Sequence, residues 1–235
     1  MRATILAVLG LLASPVWSEA VIPLYEAQYQ AQYKGRNSGI SVFSVAHDTD
    51  RDLYTFESHT QVKGLLRLAS PRPVIEHSEF GLQNGQLRPL TFRFEDGTRK
   101  GEDNYVAHFD WSAGEVALHG EAGTRTLTLE PGVLDRGSLQ VAIMRDVAAG
   151  RVPGPYVLAD EDSLKTYEFS FEDDAEIDTP LGNFTARRLK QQRRGSSRHT
   201  VIWMVPELRH VPVLIEQYRD GEVRSAFVLE ALEWH

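Results

Sequence analysis

The sequence predicts an all-β protein, an antiparallel open or closed barrel of about a dozen strands with one principal helix. Three observations carry that expectation. From Leu24, apolar and polar residues alternate, with Tyr25, Ala27, Tyr29, Ala31 and Tyr33 on one face and Glu26, Gln28, Gln30, Gln32 and Lys34 on the other. Such a period of two marks a strand with one buried face. Runs of the same kind recur along the chain, mostly with short turn segments between them, and one stretch alone drops the rhythm for a spacing of four.

Taken in order, residues 1–20 are set apart. Met1 and Arg2 give a short positive start, "ATILAVLGLLA" an apolar run, and "SEA" a boundary of small residues at Ser18 and Ala20. This three-part layout is that of a secretory signal, with cleavage expected after Ala20 and the mature chain, residues 21–235, forming a single domain. The apolar run is far shorter than the roughly 20 residues that span a bilayer, and no transmembrane segment is expected in the mature chain. Strands follow at "ISVFSVAH", "LYTFESHTQV", "LTFRFE", "NYVAHFDW", "TRTLTLE", "LKTYEFSFE", "NFTARRLKQQ", "HTVIWMV", "VPVLIEQY" and "VRSAFVLEALE". "GLLRLASPRP" (Gly64 to Pro73) reads as a turn of helix or a mobile loop. In "LDRGSLQVAIMRDVAAG", Asp135 is placed to cap a helix, Leu139, Ile143 and Val147 form its apolar stripe, and Gly150 follows its end. That helix is expected over residues 135–149. In "WMVPELRHVPVLIEQYRDGEV" (Trp203 to Val223), Pro206 closes one strand and Pro212 opens the next, where a missing N–H costs least.

The chain contains no cysteine. Packing alone must therefore hold it in an oxidising compartment, and no lipobox cysteine is available for lipidation. A net charge of −8 argues against nucleic acid as a partner, since that binding relies on neutralising phosphates.

Catalytic patterns are weak. Ser138 lies outside any G-x-S-x-G and suits a capping role. None of the eight histidines stands in a metal-binding spacing; His108 and Asp110 share a strand face but lack a third ligand. No metal or other cofactor is expected. "FEDDAEID" lacks the calcium-loop spacing and reads as a solvated acidic turn. The basic run "RRLKQQRRGSSR" crowds Arg187, Arg188, Lys190, Arg193, Arg194 and Arg198 onto one hairpin. It serves either to blunt a sheet edge or to receive anionic headgroups.

Four stretches together resemble the domain-of-unknown-function 3108 family of exported bacterial proteins. They are "FDW" (Phe109 to Trp111), "LDRGSLQVAIMRDVAAG", "TPLGNFTARRL" (Thr179 to Leu189) and "WMVPELRHVPVLIEQY" (Trp203 to Tyr218). The resemblance implies a fold and a periplasmic location, and no reaction. More distantly, Trp203, Pro212, "RDG" (Arg219 to Gly221) and the helix are similar to periplasmic lipoprotein carriers, whose curved sheets shelter acyl chains.

The expected function is therefore non-enzymatic: binding a lipid-like, amphipathic or apolar envelope molecule inside the curved sheet. Trp203, Trp111, Phe92, Phe94 and Leu139 are the expected lining, with Arg193 and Arg194 near the mouth. The alternatives are a structural module that docks an envelope protein partner, or a polysaccharide-acting enzyme using Asp110 and a second carboxylate roughly 5–10 Å away.

Overall fold

The structure, a computed structural model, describes residues 21–235. The expected signal segment and its cleavage site after Ala20 lie outside the described residues. The N-terminal half is a meander of eight strands: β1 (Tyr25–Tyr33), β2 (Arg36–Asp48), β3 (Leu53–Val62), β4 (Val74–Gln83), β5 (Gln86–Glu95), β6 (Tyr105–Asp110), β7 (Glu115–Gly120) and β8 (Gly123–Thr128). A two-residue β9 (Val133–Leu134) leads into the helix α1 (Arg136–Ala148). The second half comprises β10 (Tyr156–Asp160), β11 (Ser163–Phe171), β12 (Ala175–Thr179), β13 (Gly182–Arg193), β14 (His199–Met204), β15 (Pro212–Arg219) and β16 (Glu222–Trp234).

Sixteen strands thus replace the expected dozen. The additional ones are β4, which follows the "SPRP" turn, and β7, β9, β10 and β12, which are too short for alternation to stand out. Strand order is β8 through β1, then β16, β15, β14, β13, β11, β10 and β9, with β12 paired to β13. The first and last strands are therefore neighbours in the middle of the sheet, paired from Tyr25–Trp234 to Tyr33–Ser225 with one bulge between Gln28 and Tyr29.

The two outer strands, β8 and β9, are not hydrogen-bonded to each other, so the barrel is open. Side chains close the gap instead. Phe92, Tyr105, Phe109 and Leu118 from one end of the sheet pack with Val133 and Ala159 from the other. Arg136, the first residue of α1, bolts the same seam: its guanidinium donates to Asp160 on β10 at 2.6 and 3.1 Å and to Glu76 on β4 at 3.4 Å. It also lies over the ring of Phe94 at 4.8 Å. Burial pushes the Asp160 carboxyl upward, but Arg136 and Lys165 outweigh that and hold it below the usual carboxylate range.

The helix forms where the sequence predicts it. Asp135 caps it, accepting from the Ser138 amide at 2.8 Å, while Ser138 Oγ accepts from the Asp135 amide at 3.0 Å. This reciprocal box satisfies two helix-terminal donors. Asp135 is fully buried and also accepts from Ser78 Oγ at 2.8 Å, tying the cap to β4. Gly137 allows the close approach: a Cβ there would stand 2.5 Å from Ser78 Cβ and 2.9 Å from Phe56 Cδ1. Leu139, Ile143 and Val147 are all buried. At the far end Gly150 takes φ 72° and its N–H donates to the Val147 carbonyl. The helix packs on β3, β4, β5 and β10, so it covers one side of the barrel interior.

Candidate functional site

The other side of the interior is built in layers, and strand register makes them. Leu189, Ile202, Ile215 and Phe227 are cross-strand partners on β13, β14, β15 and β16. Two residues further toward one end of the barrel, Gln191, Thr200, Gln217 and Ser225 are partners in the same way. Because side chains of one sheet face recur every second residue, an apolar row is followed by a neutral polar row on the same wall. One step further stand Arg193 and Arg219, with Arg198 just ahead of β14.

A chamber of about 350 Å³ lies between this wall and the helix. Ile202, Ile215 and Phe227 border it on the sheet side, Phe43 and Phe56 between, and Leu139 and Gln140 on the helix. The Phe43 ring stands 5.6 Å from Phe227 and 6.0 Å from Phe56, a loose aromatic collar. Arg136 and Glu76 add a charged corner beside the helix start. Tyr29, Met204, Val213 and Leu229, all fully buried, fill the barrel on the side away from the polar row. Through Tyr167, Gln191, Thr200 and Gln217, which border both spaces, the chamber opens into a wider mouth of about 1000 Å³.

The mouth is basic, although the whole chain carries −8. Lys34, Arg193, Arg198, Arg219 and Arg224 line it, against Asp220 as its acid. Arg224 is the extra residue of a bulge where β15 meets β16. Not every cation of the basic hairpin turns this way. Arg188 pairs with Glu172 at 2.6 Å, Arg187 with Asp174 at 3.7 Å, and Arg194 with Glu168 at 2.7 Å. The "FEDDAEID" segment, expected as a solvated turn, thus holds β12 and supplies two of these counter-ions.

Of the residues expected to line a ligand site, Leu139 borders the chamber and Arg193 the mouth. Trp203 alternates with Ile202 and stands on the opposite face of β14, where Arg188 stacks on it at 4.7 Å and its Nε1 donates to Glu216 at 3.1 Å. Arg194 likewise points to its outer partner Glu168. Phe92, Phe94 and Trp111 belong to the seam cluster, Trp111 Nε1 donating to the Pro89 carbonyl at 2.7 Å. Phe43, Phe56, Ile202, Ile215, Phe227, Arg219 and Lys34 were not among the residues expected to form the site. The available signal was the graded triplet Leu189–Gln191–Arg193, repeated in Ile215–Gln217–Arg219 and, reversed, in Arg198–Thr200–Ile202.

Asp110 ends β6 and holds the turn that follows. It accepts from Ser112 Oγ at 2.6 Å and from the Ala113 amide at 2.9 Å, and these bonds hold its carboxyl below the ordinary value. His108 meets His119 edge-on at 5.5 Å. Among the described residues no group of three or more His, Asp or Glu side chains is arranged to hold a metal ion. None of the described helices is long and apolar enough to cross a membrane.

The shape has relatives among solved structures. A β-barrel-like protein of a domain of unknown function, DUF1849, from Brucella abortus superposes with a TM-score of 0.52 at 11% identity, over 91% of this chain and 98% of its own. A candidate exported protein with a YmcC-like fold from Bacteroides fragilis gives 0.37 at 11% identity, over 90% and 96%. A candidate lipoprotein from Parabacteroides distasonis gives 0.38 at 12%, over 90% and 95%. The first of these likenesses supports the open-barrel fold. No curated protein matches the chain in sequence. A sequence profile of proteins of unknown function, DUF3108, matches residues 28–226, nearly the whole of the barrel from β1 to β16, and the chain belongs to that family.

Proposed function

We propose that this protein is exported to the periplasm and binds an amphipathic, lipid-like envelope molecule, with its apolar part in the chamber. The observation that carries the reading is the graded wall. An apolar row at Ile202, Ile215 and Phe227 lies inside, a neutral polar row at Thr200 and Gln217 forms the neck, and the neck opens to a broad polar mouth. A chamber of about 350 Å³ falls in the range of small-molecule sites, roughly 300–1,000 Å³. Its half-open aromatic collar leaves apolar surface that a ligand chain would shield from water. The reading needs no reaction, cofactor or metal.

Lipid extraction and native mass spectrometry of the protein purified from the periplasm test it. A bound amphiphile is expected with the wild type and lost in Thr200→Trp, which plugs the neck, with the melting temperature unchanged. Gln217→Trp plugs the same neck from the next strand should the first variant misfold. Absence of any bound mass, together with no binding of added single-chain amphiphiles, would overturn the reading and favour an envelope interaction module.

A further inference from the structure

We infer that the mouth recognises an anionic headgroup, of phosphate or similar chemistry, on the molecule whose apolar part enters the chamber. The inference rests on the chamber reading above and adds the chemical class of the exposed end.

Charge distribution points there first. Five cations and one carboxylate line the mouth of a chain whose net charge is −8. Lys34, Arg193 and Arg198 form no ion pair among the described residues, and Arg219 and Arg224 have only loose contacts, at 3.6 Å to Asp220 and 3.5 Å to Glu222. The other arginines of the hairpin differ. Arg188 and Arg194 are tightly paired at 2.6 and 2.7 Å and Arg187 loosely at 3.7 Å, while Lys190 has no ion pair among the described residues. Arg193 and Arg198 are the unpaired arginines of that hairpin, and both line the mouth. Clustered like charges repel, so such a cluster leaves a favourable place for an anion.

Geometry agrees. Arg193 and Arg219 follow Leu189 and Ile215 at four residues' distance along their strands, which at about 3.3 Å per residue puts the cationic level roughly 13 Å above the apolar row. An amphiphile with its head among the guanidinium groups would reach Ile202, Ile215 and Phe227 with the first segment of its chain. Guanidinium groups suit the head because their planar donor forks match the oxygens of phosphate and carboxylate. Ser196, Ser197 and Thr200 supply neutral hydroxyls around the same space. The breadth of the mouth keeps it wet, so its preference should weaken with salt.

Calorimetric titrations with dodecyl phosphate, dodecyl maltoside and inorganic phosphate separate the contributions. The first two probes share a chain and differ in head charge; the third is a free anion without a chain. Dodecyl phosphate is expected to bind at least about tenfold more tightly than dodecyl maltoside, as charge-assisted contacts require. That advantage should shrink at high salt and vanish in the Arg193→Gln, Arg198→Gln double variant, while dodecyl maltoside affinity stays put. Equal affinity of the two amphiphiles in the wild type would overturn the inference and leave the chamber reading standing. Inorganic phosphate binding as tightly as dodecyl phosphate would assign the mouth to a free anion and equally overturn it. Failure of both amphiphiles to bind would sink the chamber reading as well.

Discussion

The two sides of the barrel interior are made of similar residues and end up in different states. On the side of β3, β4 and β5, the helix drives Leu139, Ile143 and Val147 into the sheet, and its cap locks to Ser78. On the side of β13 to β16, Ile202, Ile215 and Phe227 face the chamber. One amphipathic stripe can cover one wall, and the helix has spent its stripe. The cavity follows from which wall the helix docks on, not from any shortage of apolar residues in the opposite wall.

Substitutions that open a cavity should separate the two walls most strongly. Ile143→Ala removes packing from the covered side and should cost about 2–5 kcal/mol by denaturant unfolding. Ile215→Ala borders space already present, so it should cost little beyond the transfer of the three lost carbons, about 2 kcal/mol, at the low end of that range. Equal losses for the two would mean that both walls are packed alike.

The helix anchor gives a pH signature to the covered side. Burial pushes the Asp135 carboxyl from 3.8 up to about 6, even though Ser138 and Ser78 donate to it. Since the folded value is the higher one, its stabilising contribution is complete below about pH 4 and disappears as pH rises through 6. The swing should reach at most about 3 kcal/mol. Asp135→Asn keeps an acceptor for the Ser138 amide and should flatten that stretch of the stability profile. An unchanged profile would show that Asp135 does not titrate in this window.

The smallest effect sharpens the contrast between faces. Arg194→Gln breaks an exposed pair with Glu168 and should change stability by less than about 1 kcal/mol. It should leave amphiphile binding untouched, whereas Arg193→Gln, one residue away, should weaken binding of dodecyl phosphate.

Much of this fold was legible because local rules suffice for it. Strand alternation from Tyr25 onward, the Asp135 cap, the helix stripe and Gly150 each need only a few neighbouring residues. Sidedness was not legible. Alternation says that Ile202 and Trp203 face opposite ways, and only register with β13 and β15 says which way is in. A bulge between Trp203 and Met204 shifts even that register at the strand end. The seam that absorbs Phe92, Phe94 and Trp111 joins opposite ends of an open sheet, a relation no local pattern encodes. The "RGS" start of the helix carried more than its polarity suggests, since Gly137 sets how closely the helix approaches Phe56 and Ser78.

The pairing of β1 with β16 bears on the order of assembly. Tyr25 meets Trp234 across almost the whole chain, whereas β2 to β8 and β13 to β15 join near neighbours. Loop-closure entropy favours the hairpins first and makes the longest closure slow. Until β16 arrives, the edge of β1 is exposed with Tyr25, Ala27 and Tyr29 on its apolar face, and an unpaired edge of that kind invites association with another chain. β16 therefore seals the middle of the sheet, and the hazard period for aggregation lasts until it has paired with β1.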